Sequence, residues 1–108
     1  MKIVIEGAGQ VGSHLAKMLS AEGSEVTVID SDSGRIRALA STADVNTILG
    51  PTSSVDSLRE AGCANADLFI GVNPFYSQSS NIVSALLAKK LGTTRVHRPT
   101  DPGSVKRP

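Results

Sequence analysis

The chain has 108 residues, and its 11 Lys and Arg residues against 10 Asp and Glu residues leave a net charge of +1. This length predicts one domain with one core and one site. The balanced charge argues against nucleic acid as the main partner, because neutralising phosphates needs a basic surplus. Aromatic residues make up 3% of the chain, so we expect an aliphatic core and no base-stacking platform.

Short β-branched or apolar runs alternate with helical patterns along the chain. The runs indicate strands at Lys2–Glu6, Glu25–Ile29, Val45–Leu49, Asp67–Val72 and Thr93–His97. Between them, helices are indicated from the first glycines to Gly23, after Asp30, from Ser53 or Ser54 to Gly62, and over Ser77–Leu91. Strict alternation with short connections predicts a parallel sheet with helices on both faces and right-handed crossovers.

Apolar spacing predicts which face each helix buries. The first helix carries Val11, Leu15, Met18 and Leu19 at helical spacing, and the second, capped by Ser31 or Asp32, carries Ile36, Leu39 and Ala40 on one face. The last residues, 99–108, are rich in proline and are expected to form an irregular tail after a domain at 1–98.

A single cysteine, Cys63, excludes an internal disulfide and a multi-cysteine metal site. No apolar run approaches the roughly 20 residues that span a bilayer, and no signal peptide is evident. We therefore expect a protein of a reducing compartment, in which Cys63 is a small packed thiol.

The glycine cluster after the first strand predicts a nucleotide site. Gly7, Gly9 and Gly12 form the G-x-G-x-x-G pattern between a predicted strand and a predicted helix. In this pattern Gly7 makes the tight turn, Gly9 lets a pyrophosphate approach the backbone, and Gly12 lets the helix pack closely on the sheet. A turn cluster with no ligand is the competing interpretation. The pattern favours an α/β, Rossmann-type doubly wound parallel sheet in a single domain.

Asp30 ends the second strand, about 20 residues after the glycines. Its carboxylate is placed to accept hydrogen bonds from ribose hydroxyls and to repel a 2′-phosphate, so NAD(H) should bind more tightly than NADP(H). The nearest cation is Arg35, which could soften that repulsion. Helix capping is the alternative role for Asp30, although Ser31 and Asp32 can supply it.

Other candidates point less clearly to chemistry. His14 is expected to line the groove or face solvent, and Asp56, Arg59 and Glu60 to form a solvated helix face. No nucleophile–base set, carboxylate pair or metal-ligand spacing can be assembled.

Four segments together resemble the N-terminal nucleotide-binding domain of the TrkA family, of the RCK/KTN class. They are GAGQVG, VTVIDSDSGRI, LREAGCANADLFIGV and NIVSALLAKKLG. The resemblance covers about residues 1–98. The glycine loop is generic, whereas the LREAG segment and the NIVSALLAKKLG helix are far more specific.

The resemblance implies a ligand sensor and not an enzyme. Such domains bind NAD(H), and related ones bind ATP or ADP. They assemble as homo-oligomeric rings beneath a Trk-type potassium-transporting membrane subunit, in the cytoplasm and peripheral to the inner membrane, and alter its gating. The resemblance assigns cofactor contacts to Gly7, Ala8, Gly9, Gln10, Val11, Gly12, Asp30, Asn73, Pro74 and Arg98.

Three departures from the family pattern stand out. Pro51 follows the third strand where a polar residue is common, acids are missing at Tyr76–Ser80, and the chain reaches Pro99 and Pro102 where the family continues into a further β-α unit. A piece of a longer protein and a solitary domain both fit.

Three functions remain open at this point. The first is an NAD(H)-binding regulatory domain of potassium transport. The second is the cofactor half of an NAD-dependent dehydrogenase, against which the short chain argues because a general acid or base must also be placed. The third is a nucleotide-sensing dimer with no transporter. The ligand among NAD, NADH and ATP/ADP also stays open.

Overall fold

A parallel sheet of five strands runs through the molecule in the order β3-β2-β1-β4-β5. The computed structural model describes residues 1–52, 54–72, 88–89 and 91–97. The described strands are β1 (Lys2–Glu6), β2 (Glu25–Asp30), β3 (Asn46–Leu49), β4 (Leu68–Gly71) and β5 (Arg95–His97). The helices that lie wholly within the described residues are α1 (Gln10–Ala21), α2 (Ser33–Thr42) and α3 (Val55–Glu60). This confirms the predicted doubly wound α/β fold.

The register brings the carboxyl ends of the central strands level with one another. Glu6, the last residue of β1, lies opposite Ile29 of β2 and Gly71 of β4. Asp30 lies opposite Leu49 at the end of β3. The chain reverses its direction of winding between β1 and β4, where open α/β sheets bind their ligands. The glycine loop leaves β1 at this edge.

Each face of the sheet has its own core. One cluster packs α1 and α2 onto the sheet and includes Ile5, Val28 and Leu39. The other lies on the opposite face and includes Leu58, Cys63 and Phe69. Among the described residues, the buried apolar side chains other than Phe69 are aliphatic or small, as the composition predicts.

The buried face of α1 agrees with the prediction in part, since Leu15 and Leu19 are half-buried and pack against the core. Its buried residues are Gly12 and Ala16, whereas Val11 and Met18 are 61% and 43% exposed. The reason is a close approach of backbones, because a Cβ on Gly12 would lie 1.8 Å from the Gly7 carbonyl oxygen. Because the backbone of α1 comes so close to the Gly7 backbone, only the smallest residues, Gly12 and Ala16, fit on the fully buried face of the helix. The larger side chains lie to either side of this face.

Element ends follow ordinary capping chemistry. Asp32 caps α2 by accepting from the amides of Gly34 and Arg35, and Ser54 caps α3. After α3, Gly62 adopts a left-handed conformation and a short 3-10 helix, Cys63–Asn65, follows. The sequence did not predict that turn, since three residues carry no periodic signal. β3, β4 and β5 are each shorter than predicted.

Several predictions fall outside the described residues. Asn73, Pro74, Arg98, Ser53 and the tail 99–108 are among them. Of the helix predicted over Ser77–Leu91, the structure describes Ala88, Lys89 and Leu91, all helical. Within the described part of the chain, no helix combines the length and apolarity needed to cross a membrane.

Candidate functional site

The glycine loop connects β1 to α1 by a turn that needs its first glycine. Gly7 has φ +111°, a region that side chains with a Cβ rarely enter, and its amide donates to the Ile29 carbonyl at 2.8 Å. Gly9 is the N-cap of α1, with φ −73° and ψ −163°. This is extended backbone, so Gly9 is not required by conformation. Gly12 is required by space, as the Gly7 contact above demonstrates.

The N-terminus of α1 is left with backbone donors at the cavity. The N-cap residue of α1 is Gly9, which has no side chain to bond to the first-turn amides. The Ser13 hydroxyl, which could have bonded to the first turn, instead donates to the Ala8 carbonyl at 2.8 Å. The first amides of a helix lack intrahelical partners, and the helix dipole favours an anion there. The geometry therefore suits a phosphate group.

Asp30 lies next to this loop and is held by backbone amides. Its Oδ2 accepts from the Ala8 amide at 2.8 Å, and its Oδ1 accepts from the Asp32 amide at 2.8 Å. The side chain is 1% exposed. Asp30 thus ties the glycine loop to the end of β2, while the capping role belongs to Asp32.

Arg35 contacts the Asp30 carboxylate directly. Its Nη1 lies 3.0 Å from Oδ2 and 3.3 Å from Oδ1 of Asp30, and its Nη2 lies 3.6 Å from Oδ2 of Asp32. The Arg35 side chain is 28% exposed. Sequence reasoning placed Arg35 nearby but did not foresee this contact. The spacing could have predicted the contact, because Arg35 is three residues after Asp32 and residues three apart lie on the same face of a helix.

A cavity of about 740 Å³ opens between the glycine loop, α1 and α2. The glycine loop forms one end, and Ser13, His14 and Lys17 line it from α1. Arg35 forms the wall on the α2 side, and among the described residues that line the cavity none is acidic. Its volume falls in the range of small-molecule sites, and its charge suits an anionic ligand. His14 is exposed and lines the groove, as expected.

The remaining candidates are structural or solvent-facing. Cys63 is fully buried, and burial raises the pKa of its thiol to about 11. Asp56, Arg59 and Glu60 are exposed on α3. Within residues 1–52, 54–72, 88–89 and 91–97, no cluster of three or more metal-ligating side chains occurs. The structure therefore assembles Gly7–Gly12 and Asp30 in one place, and their binding roles stay predictions.

Comparison with known proteins identifies the family. Residues 3–105 match the family described as the TrkA-N domain. The chain is 40% identical over 94 residues to the Trk system potassium uptake protein TrkA of Halomonas elongata, covering 87% of this chain and 20% of that protein. It is also 40% identical over 109 residues to a TrkA homolog of Archaeoglobus fulgidus, covering 100% and 24%. The chain thus spans about a quarter of these relatives or less.

Solved structures share the fold at low sequence identity. The GsuK channel bound to NAD matches with TM-score 0.76 and 18% identity, covering 90% of this chain and 17% of that one. The AMP-bound Kef C-terminal domain of Shewanella denitrificans matches with TM-score 0.73 and 21% identity, covering 91% and 58%. The reductase ChuY of Escherichia coli O157:H7 matches with TM-score 0.73 and 19% identity, covering 91% and 50%. Binding proteins and an enzyme therefore share this architecture, so the fold alone does not assign a function. The family is given by the sequence matches: the chain belongs to the TrkA-N domain family.

Proposed function

We propose that this domain binds NAD(H) and thereby regulates a potassium-uptake system. The observation that carries the proposal is the pairing of open helix amides at the glycine loop with a buried carboxylate, Asp30, fixed 2.8 Å from the Ala8 amide. A pyrophosphate on the loop and a ribose at Asp30 are two contacts of one dinucleotide. Relatives named as potassium uptake proteins supply the physiological context.

The ligand class follows from the site and from structural neighbours. A GsuK structure holds NAD and a Kef domain holds AMP. Both ligands contain adenosine attached to a phosphate. NAD(H) is the ligand that we propose, and ATP or ADP could enter the same site because they keep the ribose hydroxyls and a phosphate chain. Asp30 does not discriminate among these ligands.

The remaining parts of the proposal concern assembly. We propose a homo-oligomer that docks on a Trk-type potassium-transporting membrane subunit, so that the domain works in the cytoplasm, at the inner membrane through that subunit. The cofactor contacts include Asn73, Pro74 and Arg98 by family resemblance. The names of the relatives, which are potassium uptake proteins, support the proposed association with a potassium transporter.

Binding is tested by calorimetric titration of the chain with NADH, NAD, ATP and ADP, using the wild type and Gly9→Val. Because Gly9 has extended backbone angles that valine readily adopts, the variant should keep the fold. A valine side chain at the N-cap should obstruct the pyrophosphate and abolish nucleotide binding. Circular dichroism melting is the control. Unchanged NADH affinity in a folded Gly9→Val protein would place the ligand elsewhere.

The alternative, the cofactor half of an NAD-dependent dehydrogenase, shares the fold of ChuY. A dehydrogenase must oxidise or reduce a substrate with NAD(H), so this alternative predicts catalytic turnover. Loss of NADH absorbance in the presence of small carbonyl compounds would support it, and binding without turnover would support the regulatory function.

A further inference from the structure

The Asp30 carboxylate has no acceptor position left for a ribose hydroxyl. A carboxylate offers about four lone-pair positions. The amides of Ala8 and Asp32 take one position on each oxygen. Nη1 of Arg35 takes the second position on each, at 3.0 and 3.3 Å. A ribose can reach Asp30 only by replacing one of these donors.

Of these donors, Arg35 is the one that can leave. The two amides belong to the glycine loop and to the start of α2, and moving them would disturb the backbone. Arg35 contributes a long side chain that is 28% exposed and forms a wall of the cavity. Its departure would free two acceptor positions, the number that the two hydroxyls of an unmodified ribose use.

Arg35 also has a second anchor that would keep it near the ribose. Its Nη2 lies 3.6 Å from Oδ2 of Asp32, whose side chain is 48% exposed. A guanidinium released from Asp30 would therefore stay at the mouth of the site. Guanidinium groups pair strongly with phosphate through parallel hydrogen bonds.

We propose that Arg35 determines the preference of this site between 2′-hydroxyl and 2′-phosphate dinucleotides. With NAD(H), Arg35 competes with the ribose for Asp30 and lowers affinity. With NADP(H), Arg35 pairs with the additional phosphate and offsets its repulsion by Asp30. Arg35 thus reduces the preference for NAD(H) over NADP(H), which would be larger with Asp30 alone. The inference rests on the proposed function, because it needs a dinucleotide at this site.

The test is the ratio of dissociation constants, Kd of NADPH over Kd of NADH, for the wild type and Arg35→Met. Methionine retains an unbranched apolar stem and removes the charge. NADH should bind at least as tightly as to the wild type, and NADPH more weakly. The ratio should rise at least about tenfold, which corresponds to about 1.4 kcal/mol. An unchanged ratio, or equal weakening of both nucleotides, overturns the inference.

Two further variants test whether the change in the ratio depends on the position of the arginine and on its positive charge. Arg37→Met makes the same change two residues along α2 at an exposed site, and the ratio should stay at its wild-type value. Arg35→Lys keeps the charge at the site but loses the parallel hydrogen bonds of the guanidinium, so its ratio should lie between those of the wild type and Arg35→Met. If the ratio for Arg35→Lys matches that for Arg35→Met, the charge is not responsible and the inference fails.

Folding and the proposed function have separate readouts. Thermal melting reports whether each variant folds, and Arg35→Gln, which keeps a neutral donor for Asp30, replaces Arg35→Met if the latter is unfolded. Absence of binding of both nucleotides to the wild type refutes the proposed function together with this inference. Binding of both with an unchanged ratio in the variants refutes the inference alone.

Discussion

Gly12 lies where the backbone of α1 comes closest to the loop that precedes it. A Cβ there would be 1.8 Å from the Gly7 carbonyl oxygen and 2.8 Å from its carbon. Both atoms are backbone, so no rotamer change can relieve the overlap. The same loop must also keep Gly7 at φ +111° and its amide on the Ile29 carbonyl. One added methyl group therefore disturbs the turn and the start of the helix together.

Gly12→Ala should destabilise the domain by at least about 2 kcal/mol, the range of overpacked core sites. Urea denaturation followed by circular dichroism measures this. Gly34→Ala is the comparison variant. Its Cβ would lie 3.2 Å from Asp32 Oδ1, a tight contact, but with a side-chain atom that can shift by a few tenths of an ångström, and alanine favours a helix, so its cost should be smaller. Equal stability of the two variants would contradict the close approach described for Gly12.

At the scale of elements, α2 begins at a residue that serves two purposes. Asp32 accepts from the amides of Gly34 and Arg35 and lies near the Arg35 guanidinium. The hydrogen bond from the Arg35 amide is the largest of the effects that hold the Asp32 pKa below its ordinary value of 3.8. The helix cap and the guanidinium that contacts Asp30 are thus linked through the carboxylate of Asp32.

The depressed pKa of Asp32 predicts a loss of stability in acid. A carboxyl that is more acidic in the folded state stabilises the fold fully above its unfolded pKa, 3.8, and this stabilisation is lost as the pH falls through the lower folded value. Asp32→Ser retains an acceptor that does not titrate. Denaturation midpoints at about pH 5 and about pH 3 should therefore differ less in the variant than in the wild type. Equal differences would mean that Asp32 is not coupled to folding.

At the scale of the whole molecule, the edge of the sheet formed by β5 suggests that the chain associates with further copies of itself. Among the described strands, β5 pairs with β4 alone and forms one edge of the sheet. An edge strand presents unpaired backbone groups to a partner. Together with the apolar helix predicted over Ser77–Leu91, this edge is where we expect self-association.

Light scattering at micromolar concentration should give a mass of at least two chains. Matched measurements at a tenfold lower concentration would show whether the assembly dissociates. A strict monomer at both concentrations would count against the ring assembly and against β5 as its contact.

Much of the fold could be predicted because alternation of strand and helix leaves few topologies. The glycine loop and Asp30 were found because their spacing is fixed by one β-α-β unit. The exposure of Val11 and Met18 could not be predicted from the sequence, because periodicity does not reveal that the backbones meet at Gly12. The Arg35–Asp30 contact depends on a rotamer, which spacing suggests but does not determine. The boundary at residue 98 stays a prediction, and the family match extends to residue 105.

Cys63 has a consequence for redox chemistry. Its side chain is fully buried, its carbonyl accepts a hydrogen bond from the Thr93 hydroxyl at 2.6 Å, and its thiol has a pKa of about 11. Oxidants and alkylating agents react with exposed thiolates, and Cys63 is neither exposed nor ionised near neutral pH. Oxidative stress that changes the NADH pool would leave this thiol unmodified. If the domain binds NADH as we propose, a response to redox conditions would come through the nucleotide and not through oxidation of Cys63.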